Sequence, residues 1–372
     1  MTHKPLKILL VKLSSLGDVL HTLPSVHDIH QALPQAQIDW VVEGAFAGIL
    51  RRCQGVNRVI TCDLRRWRKA PLSSDTRRAW RACKAALQQE SYDAVIDLQG
   101  LTKSAWVAWM AHLAPGGKRF AMANRTDGSS YEAPTRWVAD VAIRLEPHLH
   151  AVQRARVVCA QALGYALPEN AASAPSFGLL AGVNASSLAI DNAAKNDALT
   201  KPVVVFAHGS SRDDKLWPVG HWVELGRRLN AQGFGVALAH GSEAEEQRSQ
   251  AIADQLTRQG VHAVVWPRLG LDALTDALAA SAGVIGVDSG LSHIAVALDV
   301  PHVQIYNFDT AWRTGPVAGS TGLAHAAHGT ATRQLSVYAQ PTPSVDAVWQ
   351  AWQAVTAVDA VASEPAASSV AA

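Results

Sequence analysis

Cysteine is scarce in this chain: there are four among 372 residues, with none spaced C-x-x-C and none set near a histidine in a zinc pattern. That excludes a disulfide framework and a structural zinc, and it predicts reduced thiols in a cytosolic protein. Also missing is any run of the roughly 18 apolar residues needed to span a bilayer. The N-terminal apolar stretch stops at Lys12, so neither a signal peptide nor an anchor is expected. No G-x-G-x-x-G follows that stretch, which disfavours a dinucleotide dehydrogenase, and no G-x-x-x-x-G-K-[ST] marks a P-loop ATPase. There is no D-x-D pair to hold a metal against a phosphorylated substrate. His148-x-His150 is a weak metal pattern, expected on a helix with its two rings facing apart, so no metal site is assigned.

What is present describes a soluble globular protein. The chain is 48% hydrophobic and 17% charged, with enough length for two cores. Its net charge of +2 hides an asymmetry. Residues 1–175 carry 22 Lys and Arg against 14 Asp and Glu, whereas 176–372 carry 11 against 17. Halves of opposite sign point to different partners. Positive charge is densest from Asp63 to Lys84, where eight basic residues face only Asp63 and Asp75. Such a patch attracts phosphates, carboxylates or an anionic membrane, and Trp67 and Trp80 within it suit a membrane interface. No nucleic-acid partner is expected.

Short apolar runs alternate with helical patterns, which predicts βαβ units, parallel sheets and an α/β fold. Strands are expected near 7–12, 38–42, 57–61 and 93–98, with helices near 18–32, 76–90, 101–112 and 148–164. A second set of strands falls near 202–207, 234–239, 262–265, 283–287 and 302–306. The aperiodic, Ala-, Ser- and Asn-rich stretch places a linker at 171–200, between domains at 1–170 and 201–343. Two Rossmann-like domains facing across a cleft are expected. The stripe Val345, Val348, Trp349, Trp352 and Val355 predicts a helix over 344–357 that crosses back to the first domain. The small, polar tail 358–372 is expected to be disordered.

In open parallel sheets, ligands gather beyond the carboxyl ends of the strands. Asp18 falls in such a place, because the apolar run Ile8 to Val11 breaks at Leu13 to Gly17 and Val19, Leu20 and Leu23 restart it at helical spacing. The helix dipole favours the charged form of Asp18 there. From spacing alone, a helix cap is the simpler reading. In the second half, a strand runs into Gly209, Ser210, Ser211 and Lys215, which offer hydroxyls, exposed N–H groups and a mobile cation to a phosphate. A solvated loop is an equally good reading of that stretch. A later strand ends in Asp288-Ser-Gly-Leu-Ser-His293, where the free N–H groups of a helix start suit a diphosphate.

Five segments in order, Val11-Lys-Leu-Ser-Ser-Leu-Gly-Asp-Val-Leu-His-Thr-Leu-Pro24, Arg65-Arg-Trp-Arg-Lys69, Asp97-Leu-Gln-Gly-Leu-Thr-Lys-Ser104, Ser210-Ser-Arg-Asp-Asp-Lys-Leu-Trp-Pro218 and Val287-Asp-Ser-Gly-Leu-Ser-His293, resemble the family 9 glycosyltransferases, which are heptosyltransferases of the GT-B fold. The resemblance implies an inverting transfer of L-glycero-D-manno-heptose from ADP-heptose to the Kdo of Kdo-lipid A, in lipopolysaccharide inner-core biosynthesis. It implies Asp18 as general base and Lys215 as the cation that meets the departing diphosphate. Donor contacts fall on Ser210, Ser211, Lys215, Glu245, Leu269, Asp288, Ser289, Gly290, Leu291 and His293. Acceptor contacts fall on Ser14, Ser15, Arg65, Arg66, Arg68, Lys69 and Lys103. The resemblance further implies a monomer, without metal or cofactor, peripheral on the cytoplasmic face of the inner membrane. A later-acting heptosyltransferase of the family and a non-catalytic binder of nucleotide sugar or lipopolysaccharide precursor are the alternatives. Residues 115–147 match only loosely, and Asn307-Phe-Asp-Thr310 stands where many relatives have a Gly-Pro turn.

Overall fold

The computed structural model describes residues 5–167, 175–182, 201–317 and 332–362. The chain divides after Leu180 into two units. In the first, the strands are β1 (Lys7–Val11), β2 (Gln37–Val42), β3 (Val56–Thr61), β4 (Ser91–Asp97), β5 (His112–Met122) and β6 (Val141–Ile143). Its helices are α1 (Leu16–Ala32), α2 (Ala47–Arg51), α3 (Leu64–Trp67), α4 (Ser74–Gln88), α5 (Thr102–Met110), α6 (Thr135–Val138) and α7 (Ala151–Leu163). The second unit has strands β7 (Val203–Ala207), β8 (Gly235–Leu238), β9 (Ala263–Val265), β10 (Gly283–Val287), β11 (His302–Tyr306) and β12 (Gln334–Tyr338). Its helices are α8 (Val219–Ala231), α9 (Glu243–Arg258), α10 (Leu271–Ala279), α11 (Gly290–Ala297), α12 (Ala311–Thr314) and α13 (Val345–Ala362).

Both sheets are parallel throughout, ordered β3-β2-β1-β4-β5-β6 and β12-β11-β10-β7-β8-β9. Counted from the first strand of each unit, the two orders are the same. The order therefore reverses direction between β1 and β4 in one unit and between β7 and β10 in the other, which are the crevices where such sheets bind ligands. The central strands are apolar runs because helices cover both faces: Ile8, Leu9, Leu10 and Val11 are fully buried, as are Val204, Val205 and Phe206.

Each expected strand is present to within a residue or two, but β5, β6 and β12 were not anticipated. Pro115-Gly116-Gly117 interrupts the apolar pattern of β5, and the pairing with β4 shifts register between Tyr92 and Ala94. A Cβ on Gly117 would sit 2.5 Å from the Tyr92 carbonyl oxygen, so the strand passes there only as glycine. The helix expected to reach residue 112 stops at Met110, where this strand begins.

Two further expectations are corrected. The apolar stripe of α13 packs within its own unit. Val348, Trp352 and Val355 are fully buried in the core of the second unit with Phe206, Trp217 and Trp222. The helix also continues to Ala362, past the point where disorder was expected, and the rest of the tail lies outside the described residues. His148 and His150 precede α7 instead of lying on it, and His150 caps that helix, its Nδ1 accepting the Val152 N–H at 3.1 Å. Of the expected linker, Leu179 bridges to Cys53 and the Leu180 N–H donates to the Arg52 carbonyl, while 183–200 lie outside the described residues. All four cysteines are buried and free. Among the described residues, no helix is long and apolar enough to cross a membrane.

Candidate active site

The turn after β1 delivers Asp18 as the third residue of α1, with Ser15 at the N-cap. The Ser15 N–H and hydroxyl both donate to Asp18 Oδ2, at 3.2 and 3.0 Å. Capping is thus real, but it uses only one carboxylate oxygen. The other, Oδ1, lies 3.5 Å from Lys12 Nζ and 3.5 Å from Arg154 Nη2. Lys12 directly follows β1 and is buried, donating to the Leu98 carbonyl at 3.1 Å. Arg154 comes from α7 and also reaches the Thr126 hydroxyl at 3.2 Å. Burial opposes ionisation of Asp18. Lys12, Arg154, the Ser15 N–H and His21 outweigh it and hold the carboxyl well below the usual range. Burial pushes Lys12 below the ordinary lysine value, an effect that Asp18 partly reverses. The Asp18 side chain nevertheless remains 35% exposed, so a ligand can reach it.

The residues assigned to an anionic acceptor do not gather uniformly. Arg65 Nη2 and Lys103 Nζ both donate to Ser14 Oγ, at 3.0 and 3.2 Å, and both pair with Glu43, at 3.2 and 3.3 Å. Gln99 Oε1 accepts the N–H groups of Leu13 and Ser14, tying this turn to the one after β4. Arg65, Arg68 and Lys103 line a hollow of about 600 Å³ walled by Trp67, Trp80 and Trp106. Arg66 instead turns to Asp63 at 3.3 Å and lines a different hollow, while Lys69 is exposed and lines neither. Trp67, expected at a membrane interface, is buried against Trp80.

In the second unit, Lys215 sits on a single 3₁₀ turn, Asp213–Lys215, after β7. Its Nζ lies 2.6 Å from Oδ2 of Asp288, which follows β10, and His293 Nε2 lies 3.3 Å from Oδ1. Burial opposes ionisation of Asp288, yet His293 and Lys215 hold it well below the ordinary carboxylate range. The Ser210 hydroxyl donates to the Asp288 carbonyl at 3.4 Å. Ser289 caps α11, and its buried hydroxyl has no partner among the described residues. Gly290 and Leu291 open the helix half-buried, and Leu269 is half-buried before α10. Ser211 is exposed. Glu245 lies beside Gly209, where a Cβ would come within 2.6 Å of its carboxylate, and its Oε2 accepts the Gly241 N–H at 2.7 Å.

Three functional neighbours escaped the sequence reading. Lys12 and Arg154 flank Asp18. Lys12 left a trace as the charge that follows an apolar strand, whereas Arg154 lies on a distant helix and nothing in its spacing tied it to Asp18. The third is Asn307, at the end of β11. Its Nδ2 donates to the carbonyls of Asp214 and Leu216, at 3.0 and 3.1 Å, and its Oδ1 accepts the Thr342 hydroxyl at 2.7 Å. Asn307 therefore holds the turn that carries Lys215. Among the described residues, no three His, Cys, Asp or Glu side chains gather to hold a metal.

The family model described as glycosyltransferase family 9 (heptosyltransferase) matches residues 80–321. Lipopolysaccharide heptosyltransferase 1 of Escherichia coli is 37% identical, the match covering 81% of this chain and 88% of that protein. Its namesake from Pseudomonas aeruginosa is 39% identical, over 81% and 78%. Solved structures of E. coli heptosyltransferase WaaC, with ADP and with ADP-2-deoxy-2-fluoro heptose, superpose with TM-scores of 0.73 and 0.70. Each is 32% identical and covers 93% of this chain and 98% of its own. Two Rossmann-like units of one strand order, with polar turns at both switch points, make this enzyme a glycosyltransferase of the GT-B fold. The chain belongs to glycosyltransferase family 9, the heptosyltransferases.

Proposed function

We propose that this enzyme moves L-glycero-D-manno-heptose from ADP-heptose to the Kdo of a Kdo-bearing lipid A, inverting the anomeric centre, with Asp18 as general base. Support comes from relatives named lipopolysaccharide heptosyltransferase 1 and from a matched structure holding an ADP-heptose analogue. The observation that carries the reading is Asp18 itself, a carboxylate fixed by Ser15, faced by two cations and still a third exposed.

In this scheme the acceptor hydroxyl oxygen bonds to C1 of the heptose and the bond from C1 to the diphosphate oxygen breaks. ADP leaves with the electron pair, and the hydroxyl proton passes to Asp18. Lys12 and Arg154 keep Asp18 ionised but lower its basicity. The proton therefore moves late, after the forming C–O bond has made the hydroxyl acidic. Lys215 exchanges Asp288 for the diphosphate, joined by the Ser289 hydroxyl and the N–H groups of Gly290 and Leu291. A lost donor of this kind costs roughly 3–4 kcal/mol of barrier. Ser210, Ser211, Glu245, Leu269 and His293 complete the donor contacts. Ser14, Arg65, Arg68 and Lys103 hold the acceptor's anionic groups, with Arg66 and Lys69 outside them. Protein cations meet the leaving-group charge, so transfer proceeds without a metal ion.

The test is the product mass from purified protein, ADP-heptose and Kdo-lipid A in the presence of EDTA. Asp18→Asn is expected to lower kcat by roughly 10²–10⁴-fold with ADP binding unchanged. Near-normal transfer by that variant would remove Asp18 as the base. Transfer only to acceptors that already carry a heptose would move the enzyme to a later step of the core.

A further inference from the structure

Beside the acceptor residues, the first unit exposes tryptophan to an extent that no packing requirement explains. Trp80 of α4 stacks on Trp106 of α5 with ring centroids 4.6 Å apart and planes within 3°. Trp109 lies one turn beyond Trp106 and is 61% exposed; Trp137, on α6 packed beside α5, is 75% exposed. Leu72, in the loop that follows Arg68 and Lys69, is more exposed still. The Trp80–Trp106 stack is a shared wall between two hollows of about 600 Å³ each. One holds Arg65, Arg68 and Lys103, and the other holds Lys84, Trp109 and Arg119. Along α4, Arg77, Arg81 and Lys84 are exposed three or four residues from one another, bracketing Trp80, and the one acidic residue of that helix is Asp75.

We propose that this face, with Trp106, Trp109 and Trp137 at its centre and Arg77, Arg81 and Lys84 on its flank, is where the enzyme docks on an anionic lipid bilayer. The proposal rests on the reading of the acceptor as a membrane-borne lipid. Exposed indoles with apolar bodies and polar N–H edges are the side chains that settle at headgroup depth, and neighbouring cations add attraction to anionic headgroups. Charge complementarity selects the occupant: a stretch with eight basic residues against two acids fits a negative surface. A second copy of the chain would set like charges against each other. Trp106 of this face also walls the hollow that holds Arg65 and Lys103, so docking would bring headgroup anions close to the residues that contact Ser14.

Full-length protein is sedimented with vesicles of phosphatidylethanolamine and phosphatidylglycerol, and separately with vesicles of phosphatidylcholine. Binding is expected to the first, with indole emission moving to shorter wavelength, and not to the second. The double variant Trp109→Ser/Trp137→Ser is expected to bind roughly tenfold more weakly. Arg81→Glu/Lys84→Glu is expected to lose as much at low salt and less at high salt, where screening has already weakened the attraction. Heptose transfer to a water-soluble, deacylated acceptor serves as the parallel readout, and both double variants should retain it, which shows an intact fold. A wild-type protein inactive in that soluble assay would sink the proposed reaction while leaving the vesicle result standing. Undiminished binding by the tryptophan double variant would overturn the docking proposal, and so would absence of wild-type binding to the anionic vesicles. Self-association of the wild type that the variants abolish would likewise overturn it, giving the face to a second copy.

Discussion

Asp18 and Asp97 share one lysine as neighbour and titrate on opposite sides of the ordinary carboxylate value. Asp97, at the end of β4, is almost wholly buried, and burial pushes it up to about 6. The Gln99 and Gly100 N–H groups, the Ser104 hydroxyl and Lys12 only partly offset that. Its folded value lies above the unfolded one, so between about pH 4 and 6 the folded protein binds the extra proton. Stability from this group is therefore greatest below that window. It falls by about 3 kcal/mol as pH rises through the window, at 1.36 kcal/mol per pKa unit. Asp18 acts the other way: its contribution is present above the unfolded value and lost as pH falls. Asp97→Asn keeps acceptors for the Gln99 and Gly100 N–H groups but cannot titrate. Denaturant titrations across pH 4 to 6 should show the variant gaining stability relative to wild type as pH rises, and parallel curves would contradict the assignment.

A single 3₁₀ turn cannot hold itself in place, and the one that carries Lys215 is held by other elements. Asn307 takes the carbonyls of Asp214 and Leu216, Arg248 donates to the Trp217 carbonyl at 2.5 Å, and Trp217 Nε1 donates to the Pro343 carbonyl at 2.9 Å. Asn307→Ala should cost about 1–3 kcal/mol of stability through the two orphaned carbonyls. It should also raise the KM for ADP-heptose roughly tenfold by loosening Lys215, an equilibrium loss of about 1.4 kcal/mol. A lowered melting temperature with an unchanged donor KM would make Asn307 a purely structural residue. None of this was legible in the sequence, because Asn307, Arg248 on α9 and Pro343 lie far along the chain from this turn and from one another and meet it only in the fold. The central strands were legible because a continuous apolar run needs no partner to be recognised. The places of Asp18 and Lys215 were legible for a related reason: each follows such a run within a short stretch of chain, Asp18 in the first turn of α1 and Lys215 on the 3₁₀ turn after β7. Edge strands β6 and β12 are short or carry polar residues, and the proline and glycines of β5 erase its period.

At the scale of the whole molecule, the proposed division of labour makes a prediction that no single variant tests. Nucleotide alone should stabilise the second unit by mass action and leave the turns of the first unchanged. In hydrogen exchange, ADP is expected to slow amides at 207–218, 241–245 and 287–293, with those at 12–18 and 97–104 unaffected. Slowing at 12–18 instead would place the nucleotide on the first unit. The charge difference between the halves, visible in composition before any fold was known, fits this split, with the basic half turned to the anionic acceptor. Because both sheets repeat one strand order, each half carries its own crevice and its own set of turns. Inheritance can act on them separately. With the acceptor and donor roles proposed above, a lineage that needs a new acceptor can rewrite the turns after β1 and β4 and keep those after β7 and β10 unaltered, so one donor chemistry can be handed down through many sugar-chain dialects.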